Sequence, residues 1–102
     1  MMIIYNVTVK VDSQIAGTWL QWLLNEHIPD VMRTKCFTGY KVVRLLEVDD
    51  SEGPTYAIQY FASSLEDYKH YIENYAPEMR KRSTDKWGNQ FMAFRSVMEV
   101  VK

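Results

Sequence analysis

Cysteine is almost absent from this 102-residue chain. The one copy, Cys36, excludes an internal disulfide framework and is the usage expected of a reducing cytoplasm. Glycine and proline are scarce, at four and three, so composition supports neither disordered tails nor low-complexity linkers. No apolar run approaches the ~18 residues of a membrane-spanning helix, and the opening "MMIIYNVTVKV" alternates like a strand, with no basic stretch ahead of a long apolar one. Neither a signal peptide nor a membrane partner is expected. An excess of charge of one sign is missing too. Twelve basic and thirteen acidic side chains give a net charge of −1, a poor start for a nucleic-acid binder, whose affinity rests on surplus positive charge. There is no glycine-rich phosphate loop, no serine elbow and no paired Cys or His at zinc-binding spacing. No metal or cofactor is therefore expected. Cys36 has no evident activating base beside it, which argues against a reactive thiol.

What is present is apolar and aromatic: 47% hydrophobic, 14% Phe, Trp or Tyr. In a chain of this length that suffices for one core and one domain over residues 1–102. Residues 3–11 alternate, with Ile3, Tyr5, Val7, Val9 and Val11 on one face and Asn6, Thr8 and Lys10 on the other, a strand signature. Asp12 and Ser13 offer helix-capping chemistry, and Ile15, Trp19, Trp22 and Leu23 follow at helical spacing. This helix is expected to run to about Asn25, bend around Pro29 and continue to Thr34. "CFTGYKVVRLLEVDD" reads as a second strand and "TYAIQYFAS" as a third, joined as a hairpin through "SEGP". Ser63 and Glu66 form a capping-box pattern that launches a second helix through Leu65, Tyr68, Ile72, Tyr75 and Met79. Gly88 ends that region, and "QFMAFRSVMEVV" is a fourth strand. The order is β-α-β-β-α-β.

The halves echo each other. "EHIPDVM" at 26–32 aligns with "NYAPEMR" at 74–80, matching Pro29 to Pro77 and Asp30 to Glu78 about half a chain apart. That fits a split β-α-β pair, the ferredoxin-like sandwich of a four-stranded antiparallel sheet with two helices on one face. The strands, however, alternate poorly. Met92, Phe94, Met98 and Val100 share one face of the fourth strand, while Phe91, Ala93, Val97 and Val101 share the other. A sheet with one solvated face should be polar there, and two helices cover only one side. A second copy of the chain, sheet against sheet, is the expected cover.

The stretches "MIIYNVTVKV" at 2–11, "WLQWLLNEHIPDVM" at 19–32, "CFTGYKVVRLLEV" at 36–48, "GPTYAIQYFA" at 53–62 and "FMAFRSVMEV" at 91–100 resemble a bacterial family catalogued as domain of unknown function 4286. Such a sheet-to-sheet dimer is similar to the dimeric α/β-barrel superfamily, which includes cofactor-free antibiotic-biosynthesis monooxygenases and muconolactone isomerases. The resemblance implies the fold and the homodimer. The superfamily adds a "His-x-Pro" step in the first helix whose histidine borders a cavity between helix and sheet, and this maps onto His27 and Pro29.

The candidate chemistry follows from these residues. His27 is a proton carrier or ligand anchor, with Asp30 at i+3 placed to orient the ring and raise its pKa. The alternative is a packing histidine beside carbonyls that Pro29 leaves without a donor. Trp19, Trp22 and Tyr60, with Tyr5 and Tyr56, are candidate walls of an aromatic pocket, for which Asn6, Gln59, Arg44 and Arg95 are candidate polar fixtures. The same aromatics at helical and strand spacing also read as ordinary core. Arg44 and Arg95 sit among apolar neighbours upstream of Glu47 and Glu99, so each calls for an anionic ligand or an ion pair. Arg80, Lys81 and Arg82 read as a solvated surface at the end of the second helix, with phosphate contact as the alternative. The topology is also that of RNA-recognition modules, but "GPTYAIQY" lacks their basic lead and one stacking aromatic. Two functions follow: a dimeric small-molecule-binding protein for an aromatic or carbonyl ligand, to which the resemblance adds cofactor-independent oxidation or isomerisation, and a non-catalytic dimeric interaction module.

Overall fold

The computed structural model describes residues Met1–Lys102. The alternation in the first strand becomes β1 (Ile3–Val11), followed by α1 (Ala16–Trp22), one turn of π-helix (Leu23–His27) and α2 (Ile28–Arg33). The hairpin strands are β2 (Gly39–Arg44) and β3 (Thr55–Ala62), and α3 (Leu65–Asn74), α4 (Ala76–Trp87) and β4 (Phe91–Glu99) complete the chain. The sheet order is β2-β3-β1-β4, antiparallel throughout. This is the ferredoxin-like β-α-β-β-α-β arrangement, with each helical region interrupted once.

Register separates the two faces of the sheet. Tyr5 lies opposite Tyr60 and Val97, and Val9 opposite Tyr56 and Ala93. The helices bury this face. Ile3, Tyr5, Val9 and Val11 join Ile58, Tyr60 and Ala62, together with Trp19, Leu23, Ile28, Val31, Tyr71, Ala76 and Met79, in one core. The other face carries Ile4 between Phe61 and Met98, and Thr8 between Ala57 and Phe94. Between those rows runs a polar one, with Asn6 flanked by Gln59 and Ser96, and Lys41 beyond Gln59. No helix covers this side, and Phe94 is 62% exposed.

Several boundaries differ from the sequence reading. The second strand is confined to Gly39–Arg44 because Glu47 takes a positive φ of 57° and turns the chain away, leaving Leu46 and Val48 exposed. The first helix starts at Ala16 without a side-chain cap, and Asp12 closes the preceding turn by accepting from the Gln14 N–H at 2.8 Å. Ser64, not Ser63, caps α3, accepting from the Asp67 N–H at 3.1 Å. The second helical region breaks at Tyr75, two residues ahead of Pro77, since proline cannot donate to the carbonyl four residues before it. The first half meets the same missing donor at Pro29 with a π turn instead.

One glycine locks the hairpin connection to the sheet. Residues 52–54 bind the end of β1 through Val11 N–H to the Pro54 carbonyl and Ser13 N–H to the Glu52 carbonyl, at 3.0 and 2.9 Å. Gly53 sits between them at φ 150°, where a Cβ would lie 1.8 Å from the Val11 carbonyl oxygen. Gly53→Ala should therefore cost about 2–4 kcal/mol, seen as an earlier urea midpoint. An unchanged midpoint would show that this contact is not tight.

Candidate functional site

The site is built by the break in the first helix. In an α-helix residue 29 donates to the carbonyl of residue 25, but Pro29 has no N–H. The chain answers one residue earlier: the Ile28 N–H reaches back five residues to the Leu23 carbonyl. The inserted residue changes which side chains face the core. Trp19, Leu23, Ile28 and Val31 are buried, spaced four, five and three. Without the insertion, the position four after Leu23 is His27, and the imidazole would point into the core. With it, Ile28 fills the core and His27 lies against Trp22, ring centroids 4.7 Å apart and planes 25° from parallel.

Between this turn and the sheet runs a cleft. Trp19, Trp22, Leu23 and His27 form one wall; Tyr5, Val7, Val9, Ile58 and Tyr60 form the floor; Tyr71, Met79, Arg80 and Ser83 close one side, and Phe91, Ala93 and Arg95 of β4 the other. It is narrow. Its volume is about 50 Å³. Tyr5 anchors its aromatic end, 6.1 Å from Tyr60 and 5.8 Å from Tyr71 between ring centroids.

Of the residues singled out in the sequence, the structure brings His27, Trp19, Trp22, Tyr60 and Arg95 to this cleft. Asn6 and Gln59 lie opposite each other on the uncovered face of the sheet, where Asn6 donates to the Thr8 hydroxyl at 2.9 Å. Arg44, on the far edge strand, pairs with Asp50 at 3.4 Å. Asp30 does not orient the imidazole. It accepts from Arg33 and, at 3.2 Å, from Arg82, which also meets Glu78 at 3.5 Å. The sequence reading placed Arg80 on a solvated surface, yet it lines the cleft and donates to the Tyr5 hydroxyl at 3.2 Å. Its partner lies at the other end of the chain, and only helical phase, placing Met79 inward beside it, could have pointed there.

The electrostatics also depart from expectation. Asp30 alone would raise the His27 pKa, but burial against Trp22 outweighs it and the Arg82 and Arg95 charges add to burial, so the pKa falls from 6.5 to about 4. Near neutral pH the ring is therefore uncharged. Burial pushes the Tyr60 and Tyr71 hydroxyls well above their usual range, so both stay protonated and able to donate. No three His, Cys, Asp or Glu side chains converge as a metal site, and no helix is long and apolar enough to cross a membrane. Cys36 is buried, its thiol directed at the Thr34 carbonyl.

Among known proteins, the family model for Domain of unknown function (DUF4286) matches residues 2–101. No curated protein matches. Similar solved structures include a dimeric ferredoxin-like protein from an uncultured marine organism, at TM-score 0.77 and 10% identity over 99% of this chain and 96% of that one. Another is a mutant form of SnoaB, a cofactor-independent oxygenase from Streptomyces nogalater, at 0.73 and 9% over 99% and 94%. A third is an ethyl tert-butyl ether D (EthD) family protein from Bacillus halodurans C-125, at 0.70 and 13% over 99% and 100%. At these identities the likeness is one of fold.

The low His27 pKa has a thermodynamic consequence of definite sign. The unfolded chain binds a proton at this histidine below about pH 6.5 while the folded one resists until about pH 4, so His27 lowers stability as pH falls through that window. Urea unfolding at pH 7 and pH 4.5 should show wild type losing about 2 kcal/mol more than His27→Gln. Equal losses would mean that the ring titrates freely in the native state.

Proposed function

The chain belongs to the DUF4286 family, and from that premise and the cleft we propose that it is a dimeric small-molecule-binding protein of the cytoplasm. The observation that carries the reading is the cleft itself: aromatic walls meet a neutral imidazole, with polar groups few and placed at its rim, the usual make-up of a small-molecule site. His27 is the anchor. Its uncharged ring can accept a hydrogen bond or a proton, but with a pKa near 4 it is a weak base. Proton transfer to it therefore needs a ligand whose own charge raises that pKa. The cofactor-independent chemistry of a protein sharing this fold is compatible with such a site, and oxidation or isomerisation of an aromatic or carbonyl compound is the reaction class we assign to it. The buried, unpaired Cys36 fits a reducing compartment.

The dimer reading rests on the uncovered sheet face. Met92, Phe94, Met98 and Val43 are exposed there around the polar Lys41–Gln59–Asn6–Ser96 row. Such a surface is unusual for a monomer, and two copies related by a two-fold axis could match apolar rows to apolar rows and the polar row to itself. Proteins of the same fold are described as dimeric. The competing function, a dimeric interaction module without a ligand, draws on the narrowness of the cleft and the near-complete burial of Trp19 and Tyr60.

Native mass spectrometry of freshly purified, never-denatured protein tests both parts. The expected spectrum shows twice the 12.1 kDa chain mass, carrying a discrete adduct that His27→Gln loses, with Phe94→Glu shifted to single chains. A wild-type mass equal to one chain would overturn the dimer, and adduct-free dimers in both proteins would favour the interaction module.

A further inference from the structure

Resting on the reading of the cleft as a ligand site, we propose that its ligand is a single-ring aromatic carboxylate whose anionic group is held by Arg80 and Arg95. The distribution of charge around the cleft leads there. Ion pairs occupy Lys10, Arg33, Arg44, Lys81 and Arg82; Arg80 and Arg95 are the two arginines with no carboxylate partner, and both line this cleft. The nearby acids are already engaged, since Arg82 takes up Asp30 and Glu78. No Asp or Glu lines the cleft at all. Two unneutralised guanidinium groups flank an apolar slot, and such a slot concentrates anions and repels cations.

Geometry narrows the class. Arg80 is steadied by its bond to the Tyr5 hydroxyl, 3.2 Å away, which leaves the rest of its planar fork free for a carboxylate. Arg95 lies opposite Val7 in the sheet register, and Val7 is the next residue along β1 on the face that carries Tyr5, to which Arg80 is bonded. Tyr60 and Tyr71 remain protonated and can only add donors or aromatic surface. A space of about 50 Å³ excludes a fused polycycle, so at most one flat ring enters between the Trp22–His27 stack and the sheet, its carboxylate outward at the exposed arginines.

Trp19 and Trp22 supply an intrinsic reporter. The test titrates the intact protein with benzoate and with its uncharged isostere benzamide, following tryptophan fluorescence. Saturable quenching by benzoate, with benzamide at least about tenfold weaker, is expected. Arg80→Gln and Arg95→Gln should each weaken benzoate about five- to twentyfold while changing benzamide less than about twofold. Arg44→Gln, an equal change in net charge on the far edge strand, should leave both unchanged. Arg95 makes no ion pair, so its variant separates ligand recognition from any folding defect at Arg80. Benzamide binding as well as benzoate would overturn the anion assignment and leave the ligand-site reading standing. A benzoate preference that survives loss of both arginines would overturn their role. Saturation by neither compound would overturn the aromatic-carboxylate assignment, while the ligand-site reading is decided separately by the His27-dependent adduct in the native mass spectrum.

Discussion

One backbone hydrogen bond, from Ile28 N–H to the Leu23 carbonyl, sets the character of this protein. It exists because Pro29 removes the donor that an unbroken α-helix would need, and it inserts a residue into the helical phase. Ile28 and Val31 then reach the core, with 1% and 0% exposure, while His27 turns onto Trp22. π turns of this kind are uncommon and cluster at functional sites. Here the physical reason is plain: the insertion separates the residue that fills the core from the one that faces the cleft. The second half of the chain meets the same constraint at Pro77 by ending α3 at Asn74 and restarting at Ala76, so the repeated proline yields two different breaks and only one of them presents a histidine.

The packing that creates the cleft also sets its electrostatics. Burial against an indole strips His27 of solvent, and that loss exceeds the attraction of a carboxylate already shared by two arginines. Buried tyrosines hold their protons for the same reason. The cleft is thus lined by neutral rings, with positive charge confined to two side chains and no acid to cancel them. The uncovered sheet face is the opposite surface in every respect, apolar rows around a polar belt with no enclosed space, and it suits broad contact with another copy.

Much of this was legible in the sequence and some was not. Alternation and order gave the sheet and its two apolar faces. The buried spacing 19, 23, 28, 31 carries the five-residue step of the π turn, visible once Pro29 is recognised as a missing donor. Parity in β1 already separated Asn6 from Tyr5, because consecutive strand residues point to opposite faces, so Asn6 and Gln59 could not share a cleft with Tyr5 and Tyr60. Arg80 was barely legible: within "MRKRSTDK" it looks like its charged neighbours, only helical phase beside the inward Met79 sets it apart, and tertiary packing alone brings it to Tyr5. The direction of the His27 shift was illegible, since a nearby Asp30 is visible in the sequence whereas the burial of the ring, which dominates the shift, and the capture of Asp30 by Arg82, 52 residues on, are not. Ser63 precedes Glu66 by three residues and Ser64 precedes Asp67 by three, and the cap falls to Ser64.

The measurement that tests this account most directly is the through-hydrogen-bond scalar coupling at Ile28 in uniformly ¹³C,¹⁵N-labelled protein. The π turn requires coupling from the Ile28 amide nitrogen to the Leu23 carbonyl carbon. Coupling to Leu24 instead would mean that the α-helix runs on unbroken, that His27 faces the core, and that the cleft is not built as described.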